Sequence, residues 1–131
     1  MAITAQAGAD PKASPAAGKK ILLAGASRGL GLGLAKSFAA HGWSVVATER
    51  NASGGLRAAA AAAKGRIQIE RLDINDARLV QGLRRQLADQ VFDVIFIVAG
   101  IRDSDPTKPV HEVPAQEAAQ VFISNAYSPM Y

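Results

Sequence analysis

A strand-turn-helix pattern near the N-terminus places the tightest constraint on how this chain can fold. Residues 21–24 form an apolar run of strand length that passes directly into the glycine-rich segment 25–33. The residues that follow have helical spacing, with Leu30, Leu34 and Phe38 on one face. The pattern therefore predicts a strand, a tight turn and a helix in immediate succession.

The glycines of this turn indicate a ligand. Gly25 allows the chain to bend sharply off the strand, whereas Gly29 and Gly31 allow bare backbone to approach a ligand and the helix to pack closely on the sheet. A helix that starts here directs unpaired N–H groups and the positive end of its dipole at the turn. The turn predicts a site for the pyrophosphate of a nucleotide, and a helix-capping turn without a ligand is the alternative.

Composition limits the class of protein. The chain has 131 residues, no cysteine and 49% hydrophobic residues, which is typical of one small globular domain or part of a larger one. The lack of cysteine excludes disulfides and thiolate metal sites and suits a reducing compartment. No apolar run approaches the roughly 18 residues that span a bilayer. We expect a cytoplasmic protein without a metal site or a membrane partner.

The basic balance of the chain raises the question of nucleic acid. The formal charge is +4 and the pI is about 9.8. The lysines and arginines are scattered, however, with little aromatic interleaving that could stack bases. Nucleic acid is therefore not expected as a partner.

Apolar periodicity divides most of the chain into alternating strands and helices. Residues 1–18 are rich in Ala, Pro, Gly and Ser and are interpreted as a flexible tail. Strands are predicted at 19–24, 44–48, 66–72 and 92–98, and helices from the glycine turn to about 41, at 54–64, from 75 or 76 to about 89, and from Pro114 through Asn125. This alternation predicts an α/β fold, a doubly wound parallel sheet of the Rossmann type, over residues 19–131.

Charged residues follow the second predicted strand directly. Glu49 and Arg50 lie about 20 residues beyond the glycines, where a dinucleotide-binding fold meets the adenosine ribose. A carboxylate at this point accepts hydrogen bonds from ribose hydroxyls, whereas a guanidinium can hold a phosphate. Ordinary exposed loop charges are the alternative interpretation.

Several separated motifs resemble the short-chain dehydrogenase/reductase family, over residues 20–131. The first turn of that family reads Thr-Gly, three residues, Gly-x-Gly, and residues 24–31 match it with Ala24 in place of the threonine. The family's aspartate after the third strand, which holds the adenine end, matches Asp73, with Ile74 beside it.

The family's Asn-Asn-Ala-Gly motif falls on residues 97–100, where only Ala99 and Gly100 match. Asn125 matches the family's helical asparagine, which implies a role in a proton relay to the catalytic lysine. The resemblance and the residue pattern together assign coenzyme binding to Gly25, Ser27, Arg28, Gly29, Leu30, Gly31, Glu49, Arg50, Asp73, Ile74, Ala99 and Gly100.

The remaining catalytic residues of the family are not found in these residues. The resemblance places a serine and a Tyr-x-x-x-Lys pair after the last predicted helix, but no lysine follows Tyr127 or Tyr131 at that spacing. The chain is thus interpreted as the cofactor-binding portion of the enzyme, truncated before its catalytic region. We expect it to be inactive in reduction by itself, because a free phenol near pKa 10 is a weak acid without a neighbouring cation.

The choice between the two nicotinamide coenzymes rests on three residues. Glu49 favours NAD, whereas Arg28 and Arg50 occupy positions where NADP-preferring relatives carry basic residues. Two arginines against one carboxylate favour NADP, with NAD as the alternative. The resemblance implies hydride transfer between this coenzyme and a small-molecule carbonyl or alcohol.

Two other functions remain open from the sequence. One is a dinucleotide-binding or regulatory protein without the catalytic half, and the other is an interaction module that binds no nucleotide. A sheet that ends at the fourth predicted strand would also expose an apolar edge, which is a known cause of association. We therefore expect a homo-oligomer or an aggregation-prone chain.

Overall fold

The structure, a computed structural model, describes residues 18–130. The predicted tail lies outside the described residues except for Gly18, and so does Tyr131. The strands are β1 Lys20–Ala24, β2 Ser44–Glu49, β3 Ile67–Arg71 and β4 Val94–Ile97. The helices are α1 Gly29–Ala40, α2 Gly54–Ala62, α3 Ala77–Gln86 and α4 Ala115–Phe122.

The four strands form one parallel sheet in the order β3-β2-β1-β4. The chain moves outward from β1 to β3 and then returns to place β4 on the other side of β1. This reversal creates a topological switch point between β1 and its neighbour β4, where α/β sheets bind ligands. The predicted doubly wound architecture is confirmed.

Helices cover both faces of the sheet because the central strands are apolar on both sides. On one face Ile21, Leu23, Val45 and Ala47 pack with residues of α1 and α2. On the other face Ala24, Val46 and Leu72 pack with Leu83 and Leu87 of the α3 segment. A continuous apolar run in β1 and β2 therefore serves two cores, as expected for buried parallel strands.

Asp76 caps α3, which resolves the predicted choice between Asn75 and Asp76. Its carboxylate accepts hydrogen bonds from the backbone N–H groups of Arg78, at 2.9 Å, and Leu79, at 3.4 Å. The hydrogen bond from Arg78 lowers the pKa of Asp76 below its ordinary value. The charged cap therefore supports α3 at neutral pH and is lost when acid protonates this carboxyl.

The last helix departs from its predicted form. Instead of continuing as an α-helix through Asn125, it ends at Phe122 and widens into a π-helical turn over Ile123–Tyr127, followed by a 3₁₀ turn over Ser128–Met130. Pro129 offers a physical reason, because it lacks the N–H that an α-helix would direct at the carbonyl of Asn125.

A partly buried polar network attaches this irregular segment to the loop after β3. The Asn75 side chain donates to Ser124 Oγ at 2.8 Å and accepts from Ser128 Oγ at 2.7 Å. Gln120 Nε2 also donates to Ser124 Oγ, at 3.3 Å. Both serines are buried; Asn75 is the partner of the Ser128 hydroxyl and the nearer of two partners of the Ser124 hydroxyl.

The two edges of the sheet differ in chemistry. β3 carries Gln68, Glu70 and Arg71, which are polar. On β4 the side chain of Ile95 is 62% exposed, and Phe96 and Ile97 are also exposed. The described residues therefore leave one charged edge and one apolar edge, and only the apolar edge invites association.

We expect Asn75→Ala to lower the free energy of unfolding by about 1–3 kcal/mol, since it removes the acceptor of the buried Ser128 hydroxyl and one of the two donors to the buried Ser124 hydroxyl. The matched control is Asn51→Ala, because the exposed Asn51 side chain forms no hydrogen bond within residues 18–130. Urea unfolding of the wild-type chain and of both variants measures the free energies of unfolding. Equal losses in both variants would show that the network does not stabilise the fold.

We expect the 131-residue chain to self-associate through β4, and Ile95→Lys to shift it toward monomer, because a charge on the edge opposes strand pairing. Val91→Lys is the control: it adds the same charge at a position that is 86% exposed and precedes the strand. Light scattering after gel filtration measures the mass of each chain. A monodisperse monomer of the wild-type chain would contradict the expectation.

Candidate functional site

A hollow of about 260 Å³ lies at the carboxyl ends of β1, β2, β3 and β4. It is lined by Gly25, Ser27, Arg28, Gly29, Leu30, Thr48, Glu49, Arg50, Leu72, Asp73, Ile74, Asn75, Val98, Ala99, Gly100, Ile101 and Ser124. Every residue that the sequence assigned to coenzyme binding is among them, except Gly31. The fold thus brings the segments after the four strands, and Ser124 from the end of the chain, to one place.

Gly25 is required by the close approach of two strand ends. Its φ is +95°, and a Cβ at this position would lie 2.7 Å from the backbone nitrogen of Ala99. The Ala24 carbonyl accepts from the N–H groups of both Val98 and Ala99, each at 2.8 Å. The turn after β1 and the end of β4 are therefore locked together, which fixes one wall of the hollow.

Gly31 lies beneath the turn and not in the hollow. A Cβ on it would lie 1.9 Å from the carbonyl oxygen of Gly25, so no side chain fits. Gly29, in contrast, has φ +54° and open space around it. Of the two uses expected of these glycines, Gly31 serves close packing, and Gly29 leaves the backbone accessible.

The N-terminus of α1 faces the hollow with unpaired donors. The first N–H groups of a helix have no partner within it, and Arg28, which precedes α1, provides no side-chain cap. The first turn of α1 also carries no acidic residue. The dipole and the free N–H groups favour an anion here, so the backbone suits the phosphates of a coenzyme.

Thr48 fixes the other side of this turn, and sequence analysis did not single it out. Its Oγ1 accepts from the Gly25 N–H at 3.0 Å, and its carbonyl accepts from the Ala26 N–H at 2.7 Å. The family's threonine at the turn is replaced by Ala24, and in this chain the neighbouring strand offers a hydroxyl. The sequence did offer one indication of this role: Thr48 is a polar residue at the end of an otherwise apolar predicted strand.

Glu49 is buried, and part of its carboxylate is already engaged. It is 7% exposed, and its Oε2 accepts from the Ser53 N–H at 2.8 Å. The side chains of Arg28 and Arg50 are exposed and form no hydrogen bond or ion pair within residues 18–130. Both guanidiniums are therefore available to a ligand.

The two arginines share a second, shallow depression beside the main hollow. It has a volume of about 360 Å³ and is lined by Ser27, Arg28, Arg50, Asn51 and Ser53. Two free guanidiniums and two serine hydroxyls are donors that suit a phosphate group. The depression continues from the hollow through the residues that they share, Ser27, Arg28 and Arg50.

Asp73 and Ile74 form the wall on the β3 side. Asp73 Oδ1 accepts from the Asn75 N–H at 2.9 Å, which holds the turn between β3 and α3. Both residues are half-buried. The turn leaves Ile74 as an apolar surface in the hollow, of the kind that a flat base can contact.

Asn125 lies next to the hollow and does not line it. Its Oδ1 accepts from the Ile101 N–H at 2.7 Å, and its Nδ2 donates to the Ile101 carbonyl at 2.6 Å. A Cβ on Gly100 would lie 3.1 Å from the same Oδ1. The side chain therefore clamps the loop after β4, and its predicted role in a proton relay stays a prediction.

The lining residues that sequence analysis missed are Thr48, Leu72, Asn75, Val98, Ile101 and Ser124. All but Ser124 lie within three residues of a predicted strand end, so proximity to those ends was the one signal that could have found them. Within residues 18–130, no helix is both long and apolar enough to cross a membrane, and no three His, Cys, Asp or Glu side chains gather into a metal-binding group.

Comparison with known proteins identifies relatives of this fold and site. A family model described as enoyl-(acyl carrier protein) reductase matches residues 25–131. No curated protein sequence matches the chain.

Several solved structures are similar. A protein of Burkholderia multivorans described as a short-chain alcohol dehydrogenase is 41% identical, with a TM-score of 0.80, over 86% of this chain and 52% of that one. A short-chain dehydrogenase/reductase of the same organism, with bound NADP, is 41% identical, with a TM-score of 0.81, over 86% and 49%. A carbonyl reductase of Pseudomonas aeruginosa PAO1 in complex with NADP is 35% identical, with a TM-score of 0.79, over 86% and 51%.

The chain spans about half the length of these similar structures. The family model covers most of its residues, and the order of its strands, its glycine turn and its hollow agree with that match. This chain belongs to the short-chain dehydrogenase/reductase family.

Proposed function

We propose that this chain is the NADP(H)-binding portion of a short-chain oxidoreductase that transfers hydride between the coenzyme and a small carbonyl or alcohol. The observation that carries the proposal is the uncapped N-terminus of α1, which faces the hollow beside two unpaired guanidiniums. The coenzyme supplies the hydride chemistry, and the chain's residues bind and orient it.

The pyrophosphate would lie on the backbone of the turn between Gly25 and Gly31. The adenine end would lie toward Asp73 and Ile74, and the nicotinamide end toward Ala99 and Gly100. These residues line one continuous hollow, except Gly31, which packs beneath it. Small residues after the carboxyl ends of β1 and β4 would let the coenzyme approach the backbone closely.

NADP is proposed over NAD because of the shallow depression. A 2′-phosphate there would meet the free side chains of Arg28 and Arg50. Two similar structures hold NADP, which supports this choice. Glu49, the residue that favoured NAD, has one carboxylate oxygen engaged by Ser53 and is therefore less available to ribose hydroxyls.

Reduction itself would require residues that are not found among these 131. No Tyr-x-x-x-Lys pair occurs in the sequence, so Asn125 is the one residue proposed here to take part in proton transfer. A serine and a Tyr-x-x-x-Lys pair encoded downstream would establish the enzyme. A natural stop after residue 131 would instead favour a coenzyme-binding protein, which we keep as the alternative.

We expect Arg50→Ala to weaken NADPH binding about tenfold or more and to leave NADH binding nearly unchanged, because only the 2′-phosphate would lose a charged hydrogen bond. Fluorescence titration with each coenzyme measures both affinities. Arg84→Ala, on the exposed surface of α3, removes the same charge far from the depression and is the control. Equal affinities for both coenzymes, unaffected by the substitution at Arg50, would refute the NADP assignment.

We expect Gly25→Ala to abolish coenzyme binding and to destabilise the fold by more than about 1 kcal/mol, because the added Cβ collides with Ala99 and the backbone is left-handed. Gly33→Ala is the matched control. It lies within α1 with nothing within 4 Å of the added Cβ, so it should stabilise the chain by about 0.5–1 kcal/mol. Thermal unfolding with and without NADPH separates the two effects. Unchanged binding in Gly25→Ala would contradict the assigned site.

A further inference from the structure

Glu49 is a buried carboxylate whose partner is the backbone at the start of a helix. It is the last residue of β2, and its own carbonyl accepts from the Leu72 N–H at 3.0 Å, so the strand holds its backbone in place. Its Oε2 accepts from the Ser53 N–H at 2.8 Å, and it forms no ion pair within residues 18–130. The carboxylate therefore joins the two ends of the short loop between β2 and α2.

Ser53 is the N-cap residue that directly precedes α2. Its Oγ accepts from the Leu56 N–H at 3.3 Å, and its own N–H donates to the Glu49 carboxylate. A carboxylate is stabilised at this position by the positive end of the helix dipole. Glu49 and Ser53 together therefore fix where α2 begins relative to the end of β2.

The start of α2 in turn packs against the glycine turn. A Cβ on Gly55 would lie 3.0 Å from Leu32 Cδ2 of α1 and 4.0 Å from the Ser27 carbonyl. Any shift of the α2 N-terminus would change the width of the depression that lies between these two segments. The loop that spans the two fixed points carries Arg50 and Asn51, which both line the depression.

We propose that Glu49 is a positioning residue for the 2′-phosphate site, and not a reader of ribose hydroxyls. By holding Ser53, it sets the loop that places the Arg50 guanidinium opposite Arg28. The acidic residue at the end of β2 then promotes NADP binding in this chain, which is the opposite of what a carboxylate free to accept from ribose would do. This inference rests on the proposed coenzyme function.

The test compares Glu49→Gln with Glu49→Ala in titrations of the 131-residue chain with NADPH and NADH. The glutamine amide oxygen can still accept from Ser53, so we expect its preference for NADPH to stay within about threefold of wild type. The alanine has no acceptor, so NADPH binding should weaken about tenfold while NADH binding changes little. Glu70→Gln, on β3, removes an equal charge without touching Ser53 and should leave both affinities unchanged.

The competing role predicts the opposite sign. If Glu49 read the ribose, Glu49→Ala would strengthen NADPH relative to NADH, and that result overturns the proposal. So does an unchanged ratio in Glu49→Ala, or an equal loss in Glu49→Gln.

Should Glu49→Ala fail to fold, Glu49→Asp replaces it. It keeps the charge but is one methylene shorter, so we expect the loss of NADPH preference, and an unchanged preference overturns the proposal. A wild-type chain that binds neither coenzyme would refute the proposed function itself, which is a separate outcome.

Discussion

The contact between the turn at Gly25 and the ends of the two neighbouring strands determines the rest of the structure. Gly25 donates to Thr48 on one side, and the backbone of Ala99 lies against it on the other. Any side chain at residue 25 would collide with the backbone of Ala99 and push the turn after β1 away from the end of β4. Because the turn is held from both sides, the direction of α1 is fixed, and so is the point at which its N–H groups emerge.

This arrangement leaves donors at the α1 N-terminus without protein partners. A side-chain cap would satisfy some of them, but Arg28 provides none. Unsatisfied donors at a helix start cost stability unless water or a ligand accepts from them. An anion that binds only the folded state stabilises it, so anion binding at this helix N-terminus would be coupled to folding.

Local sequence predicted the features that depend on neighbouring residues. Apolar runs placed β1 and β2, the leucine spacing placed the inner face of α3, and the glycines placed the turn. The same signals placed the hollow, because parallel strands that alternate with helices bring their carboxyl ends to one edge. The assigned residues of four strand ends therefore meet in the structure.

Features that depend on distant partners could not be predicted from local patterns. Thr48 is 23 residues from Gly25, and Ser124 is 49 residues from Asn75, so nothing nearby in sequence marks these hydrogen bonds. Glu49 shows a different limit of sequence-based prediction. Its place at the end of β2 was predicted, but its hydrogen bond to Ser53 depends on the conformation of a buried side chain, which the sequence does not give. The π-helical turn after α4 could not be predicted for the same reason, because its side chains form hydrogen bonds with two segments that are distant in sequence, at Asn75 and Ile101.

The widened turn after α4 explains how one short segment can hold two separate loops. Ser124 accepts from Asn75 on the β3 side of the hollow, while its neighbour Asn125 clamps Ile101 on the β4 side. In an α-helix, consecutive side chains point about 100° apart around the helix axis, so the directions of residues 124 and 125 would be fixed relative to each other. A π-helical turn relaxes this angle, at the cost of a less regular hydrogen-bond ladder. The loss of regularity at Ile123–Tyr127 is thus offset by hydrogen bonds to both loops, and the same segment fixes the distance between the two ends of the hollow.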